Sequence, residues 1–147
     1  MRLQAVDVLS TAVDDQATAA ALAGAALLDG EPHVREAAVR GLSDIGTPGD
    51  LSIFAQALWD TDVEVRASAI DAIGTIGGDA SIGALAVALS DQEPDLREQA
   101  VYVLGAIGGV EALALLQQVV VDPDAIVREA AEDILAELQR EVARGSP

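Results

Sequence analysis

Residues 60–77 read Asp60-Thr61-Asp62-Val63-Glu64-Val65-Arg66-Ala67-Ser68-Ala69-Ile70-Asp71-Ala72-Ile73-Gly74-Thr75-Ile76-Gly77. Two acids open the stretch, where carboxylates suit the start of a helix. Val65, Ala69, Ile73 and Ile76 then recur at the spacing of one helix face. Gly77 ends the pattern, as glycine commonly does by taking the left-handed conformation just past a helix.

The same stretch returns every 31 residues. Arg35, Arg66, Arg97 and Arg128 stand at that spacing, and so do Asp29, Asp60, Asp91 and Asp122. Two places after each Asp comes a second acid: Glu31, Asp62, Glu93 or Asp124. Before each Arg is an apolar residue (Val34, Val65, Leu96, Val127). Three places after it is alanine (Ala38, Ala69, Ala100, Ala131), and four further on is Leu42, Ile73, Leu104 or Leu135. Gly46, Gly77 and Gly108 close the first half of each copy. A regular period of this length signals stacked supersecondary units, each burying its apolar face against the next.

Each unit reads as two helices. Pro32 and Pro94 fall at the first position of the first helix, where a missing N–H costs nothing. The second helix begins around Asp50, Asp79 or Glu111 and buries Leu51, Phe54 and Leu58, then Ile82, Leu85 and Leu89, then Leu113, Leu116 and Val120. The fold expected is a right-handed all-α solenoid of about four and a half antiparallel helix pairs in a single domain, with units near 1–30, 31–61, 62–92, 93–123 and a half unit 124–147. In the first unit Arg2 precedes Arg35 by 33 residues, so its turn carries two extra residues. In the last, Gln139 replaces the glycine, so that helix should run on to about Gly145.

Composition narrows the function classes. At 51% apolar, the 147-residue chain can bury a core, and with only Phe54, Trp59 and Tyr102 as aromatics that core is aliphatic. The net charge is −17, with eight arginines and no lysine. Such a chain repels phosphate backbones and anionic lipid, so neither nucleic acid nor a membrane surface is an expected partner; basic proteins are. No cysteine is present for a disulfide or thiolate site. The opening residues lack the apolar core of a signal peptide, and no apolar run reaches membrane-spanning length, so a cytoplasmic chain is expected.

The unit D-x-(D/E)-x-x-V-R-x-x-A-x-x-x-L-x-x-I-G resembles the HEAT-like repeat of phycobilin lyase subunits and many bacterial scaffold proteins. The resemblance covers nearly the whole chain and rests on packing and capping positions. It implies a scaffold for protein–protein interaction or, as the alternative, an accessory subunit of a chromophore lyase or other enzyme complex. It also implies a structural role for the Arg column, with each guanidinium reaching acids of its own or a neighbouring inter-repeat loop. HEAT-like hydroxylases hold metal through several His-Glu pairs on successive repeats; here His33 is the only histidine.

No catalytic residue, cofactor site or metal site is assigned. Ser43, Ser68, Ser81 and Ser90 have no second histidine or lysine to activate them. The acids at 29–31, 60–64, 91–95 and 122–124 lack a dedicated calcium loop and read as caps with Arg partners. The second helices carry no charge beyond their opening acids, and by resemblance they line the concave face. Their outward positions are Ser52, Gln56 and Trp59, then Gly83, Val87 and Ser90, then Ala114, Gln118 and Val121. Of these, Ser52, Gln56, Trp59, Val87, Ser90, Gln118 and Val121 form the candidate partner-binding surface. Trp59 reads either as an interface anchor or as a side chain folded into the core. Residues 16–28 hold no charge at all, which reads either as a face under a cover, a second copy or more of a longer chain, or as a polyalanine surface tolerated in water.

Overall fold

The computed structural model describes residues 2–4, 6, 16–46 and 48–145. The longer turn expected in the first unit lies outside the described residues. Helical backbone at 2–4 and 6 is followed by α1 (Gln16–Leu28), α2 (Pro32–Ile45), α3 (Leu51–Ala57, entered through the 3-10 turn Pro48–Asp50) and α4 (Val63–Ile76). Then come α5 (Gly78–Ala88), α6 (Pro94–Ile107), α7 (Gly109–Val119) and α8 (Ala125–Gly145). There is no strand among the described residues, and no helix there is long and apolar enough to cross a membrane.

The chain falls into two compact units, Met1–Ile76 and Gly77–Pro147. In the first, α2 packs on α4 and α1 on α3, while α1–α2 and α3–α4 contacts tie the two layers together. The second repeats the scheme, with α6 on α8, α5 on α7, and contacts between successive helices from α5 to α8. First helices therefore stack on first helices, and second on second, inside each unit.

The 31-residue columns supply the core. Ala38, Ala69, Ala100 and Ala131 are fully buried, and Val34, Val65, Leu96 and Val127 lie beside them at 5% exposure or less. Small residues at the crossings let the helices approach closely. At Gly105 even one methyl would be too much, because a Cβ there would sit 2.6 Å from Ile134 Cγ2 of α8.

The helix ends follow two chemistries. Asp62 and Asp124 each accept from the backbone N–H groups two and three residues on, at 3.0 and 3.3 Å and at 2.9 and 3.4 Å. Glu31 and Glu93 make no such bond; proline follows each and removes one of the donors that need a partner. At the far ends, Gly46 takes the left-handed conformation (φ 71°, ψ 47°). Gly108 instead has φ 70° and ψ −162°, a region open essentially to glycine alone, and its N–H still reaches Leu104 O at 2.9 Å. In α8, with Gln139 at that place, the helix continues to Gly145.

Candidate functional site

The Arg and Asp columns meet in one repeated geometry. Each guanidinium turns back to the carbonyl of the Asp six residues earlier: Arg35 to Asp29 O (2.9 Å), Arg66 to Asp60 O (3.0 Å), Arg97 to Asp91 O (2.9 Å) and Arg128 to Asp122 O (2.7 Å). Within each unit one of them, Arg35 or Arg97, also reaches forward to the Asp of the next loop. Arg35 Nε and Nη2 donate to the two oxygens of Asp60 at 2.7 Å each, and Arg97 does the same to Asp122 at 2.8 Å. This is the parallel fork that a planar guanidinium makes with a carboxylate. The Asp that accepts the fork also accepts the backbone N–H two residues on, at 2.9 Å in both loops. One Asp thus shapes its own loop and receives the preceding repeat's arginine. In the degenerate first copy, Arg2 reaches Asp29 over 27 residues rather than 25, and its contact is longer and exposed.

The electrostatics follow. Burial alone would push the Asp60 carboxyl up, but the Arg35 hydrogen bonds, the Asp62 N–H and both nearby arginines hold it below the ordinary range. At Asp122 the Arg97 fork is the largest influence, and the carboxyl is again held low against burial. Arg35 and Arg97 are raised in turn, chiefly by those same hydrogen bonds. These side chains are only 8–12% exposed and satisfy one another, so they offer little to a ligand.

The outward positions of the second helices are distributed as follows. In the first unit Ser52, Gln56 and Trp59 are all exposed, Trp59 at 75%. In the second, Ser90, Gln118 and Val121 are exposed, as are Gly83 and Ala114, while Val87 is half-buried. Gln56 and Gln118 each donate to the carbonyl four residues back in their own helix. Ser52 donates to Gly49 O. Trp59 is therefore not a core side chain. Its column, the residue just before each loop Asp, is exposed in every copy: Leu28 at 84%, Trp59 at 75%, Val121 at 80%, and Ser90. Leu28 was missed as a surface residue, although its shared column with Trp59 was the available signal. Its helix, α1, buries Thr18, Leu22 and Ala26 and exposes Ala17, Ala20, Ala21, Gly24 and Leu28.

Other chemistry is sparse among the described residues. His33 is exposed, and no group of three or more His, Asp or Glu side chains is placed to hold a metal ion. Ser81 is fully buried, and its hydroxyl donates to Gly77 O at 2.9 Å. Every buried polar side-chain atom described has a hydrogen-bond partner.

The family model of HEAT repeats matches residues 1–65 and 52–136. No curated protein matches. Among solved structures, human deoxyhypusine hydroxylase in complex with glycerol is similar at 27% identity and a TM-score of 0.72, over 83% of this chain and 43% of that one. YibA of Escherichia coli is similar at 20% identity and 0.75, over 97% of this chain and 56% of that one. The chain thus spans about half the length of these two. The complex of CpcE and CpcF of phycocyanin lyase from Nostoc sp. is similar at 17% identity and 0.64, over 89% of this chain and 98% of that one. The last two likenesses concern the fold alone, an all-α arrangement of the α-solenoid class. With the model spanning both compact units and the repeat columns forming the core of each, the chain belongs to the HEAT-repeat family.

Proposed function

We propose that this chain is a non-catalytic protein–protein interaction scaffold that binds through the exposed faces of its second helices. The observation that carries the reading is the column Leu28, Trp59 and Val121, three large apolar side chains at 75–84% exposure just before the inter-repeat loops. The repeat does not require them there, since the same column holds Ser90. Trp59 leads the set, because an exposed tryptophan loses much apolar surface on contact and is a frequent interface anchor. Beyond their opening acids the second helices carry no charge, so those faces cost little to desolvate, and the acidic chain favours a partner with basic margins. Trp59→Ala should weaken binding of a partner captured from the native host by about 2 kcal/mol or more, with the melting temperature unchanged. A partner held equally well by the variant overturns the reading.

A second reading, an accessory subunit of a chromophore lyase or other enzyme complex, draws on the likeness to the phycocyanin lyase complex, which covers 98% of that chain. It needs a bilin-sized groove beside a reactive or stacking side chain, and Tyr102 is the only tyrosine available. A visible absorbance change on adding free bilin would favour it. The reading also extends to α1, whose outward Ala, Gly and Leu face suits a second copy or a further part of a longer chain. Sedimentation that stays monomeric at high concentration would remove the second copy.

A further inference from the structure

A groove of about 570 Å³ opens in the second compact unit, between the end of α6, the start of α7 and the far half of α8. Its origin is readable in the residues. Gly105 and Ala106 on α6, with Gly108 and Gly109 at the corner, put almost no side-chain volume into the floor. Across from them, α8 runs past the point where α2, α4 and α6 stop, because Gln139 stands in the glycine column. The overrun brings Val142, 58% exposed, into the far wall with Ile134, while Tyr102, 51% exposed, stands at the near wall.

The repeat does not demand this apolarity. In the first compact unit a groove of about 400 Å³ lies between α2 and α4, and its α2 wall is made by Glu36, Arg40, Ser43 and Asp44. Two periods on, those four columns hold Glu98, Tyr102, Gly105 and Ala106. The acid persists, while an arginine, a serine and an aspartate have given way to a tyrosine and two small residues. The charged groups that remain on the second groove are both acids, Glu137 and Glu141, and no basic side chain lines it. Glu111 adds a third carboxylate near the corner, its Oε2 3.9 Å from where a Gly109 Cβ would lie. Glu98 and Asp133 make the Tyr102 side of the rim negative too; Glu98 is the main influence that raises the Tyr102 hydroxyl pKa.

We propose that this groove is a second docking site, taking apolar anchor side chains of a cationic, arginine- or lysine-flanked protein segment. Apolar side chains (Leu113, Ile134, Leu138 and Val142) beside acids select such a segment twice over. The anchors desolvate the floor, and the flanking cations meet Glu137 and Glu141, which steer the approach and exclude acidic segments. The site is separate from the second-helix surface of the proposed scaffold. It offers its own reporter, since Tyr102 is the only tyrosine and Trp59, in the other unit, the only tryptophan.

The test uses the full chain carrying fluorotyrosine and fluorotryptophan. The probe is a synthetic amphipathic peptide of about 14 residues, with leucines at i, i+3, i+4 and i+7 and arginines flanking them; its twin has glutamate for every arginine. The expected result is a saturable shift of the Tyr102 resonance with the arginine peptide and none with the glutamate twin. Ala106→Phe, which fills the groove from an exposed position, should raise the dissociation constant at least tenfold, and so should the double change Glu137→Gln with Glu141→Gln. An unmoved Tyr102 resonance overturns the proposal, and so does a shift that Ala106→Phe preserves or one the glutamate twin reproduces. Because both sets of substitutions are at exposed side chains on opposite walls, loss of the fold in one leaves the other to decide.

Discussion

At the scale of single residues the Arg–Asp fork is the most consequential contact. A buried ion pair adds little stability relative to an apolar pair of the same shape, because desolvation offsets its attraction. Removing one partner is different, since the other is left buried with nothing to satisfy it. Arg97→Ala strands the Asp122 carboxylate and the Asp91 carbonyl together, and should cost about 3 kcal/mol in a denaturant melt. Arg128, half-buried, donates to the Asp122 and Pro123 carbonyls, so Arg128→Ala should cost only about 1 kcal/mol. Acid should reveal the same forks. Asp60 and Asp122 titrate lower in the folded chain than in the unfolded one, so their contribution is complete above the ordinary Asp value of about 3.9 and is lost as the pH falls through their lowered values. Calorimetry from neutral pH downwards should show a steep loss of stability below about pH 4, and Arg97→Ala should flatten it. These partners could be narrowed from spacing alone, because a column of Arg 31 residues apart and a matching column of Asp leave few other pairings. Trp59 could not be placed that way. Its column holds Leu, Trp, Ser and Val, a mixture that fits a turn facing water as well as one folded inward, and only the backbone direction after α3 decides.

At the scale of the element, helix limits were legible because glycine and acid recur at fixed places, and even the overrun of α8 followed from one residue, Gln139. What spacing could not convey is that the acid before each first helix works in two ways. Asp62 and Asp124 cap through their side chains, whereas Glu31 and Glu93 stand before proline and do not. Asp62→Ala and Asp124→Ala should therefore each cost about 1 kcal/mol, and Glu93→Ala almost nothing. Glycine inside helices divides in the same manner. Gly83 in α5 is exposed, and a Cβ there meets nothing within 4 Å, so Gly83→Ala should stabilise by roughly 0.5–1 kcal/mol. Gly105→Ala drives a methyl into Ile134 and should destabilise by about 1–3 kcal/mol. Thermal melts of the two variants should move in opposite directions, though both replace a helical glycine by the best helix former. The groove beside Gly105 was invisible in sequence for a related reason: it is defined by side chains that are absent and by how closely two helices approach, neither of which periodicity reports.

At the scale of the whole molecule, packing and function are written differently. Packing repeats, so four copies of Val-Arg-x-x-Ala or Leu-Arg-x-x-Ala declare it; a binding surface is where the copies differ, and one chain gives each difference once. Net charge is the exception, because it needs no register. Twenty-five acids face eight arginines, and three of those eight, Arg35, Arg66 and Arg97, are held against their own loops with 12% side-chain exposure or 8% residue exposure at most. Of the cations that remain, Arg2 lies against Asp29 and Arg40 against Glu36. Phosphate binding draws its free energy from counterions displaced by clustered cations, and a chain of −17 must first approach a polyanion against long-range repulsion. Screening at physiological ionic strength shortens that repulsion to roughly 8 Å but supplies no attraction in its place. Labelled duplex DNA and single-stranded RNA should accordingly show no anisotropy change with this protein at physiological salt, and lowering the salt should not bring binding out, because the repulsion then lengthens. A cationic protein partner should behave in the opposite sense, associating faster as salt is lowered. Micromolar binding of either nucleic acid, strengthening at low salt, would mean that a local basic surface outweighs the net charge, and the preference for basic partners would fall with it.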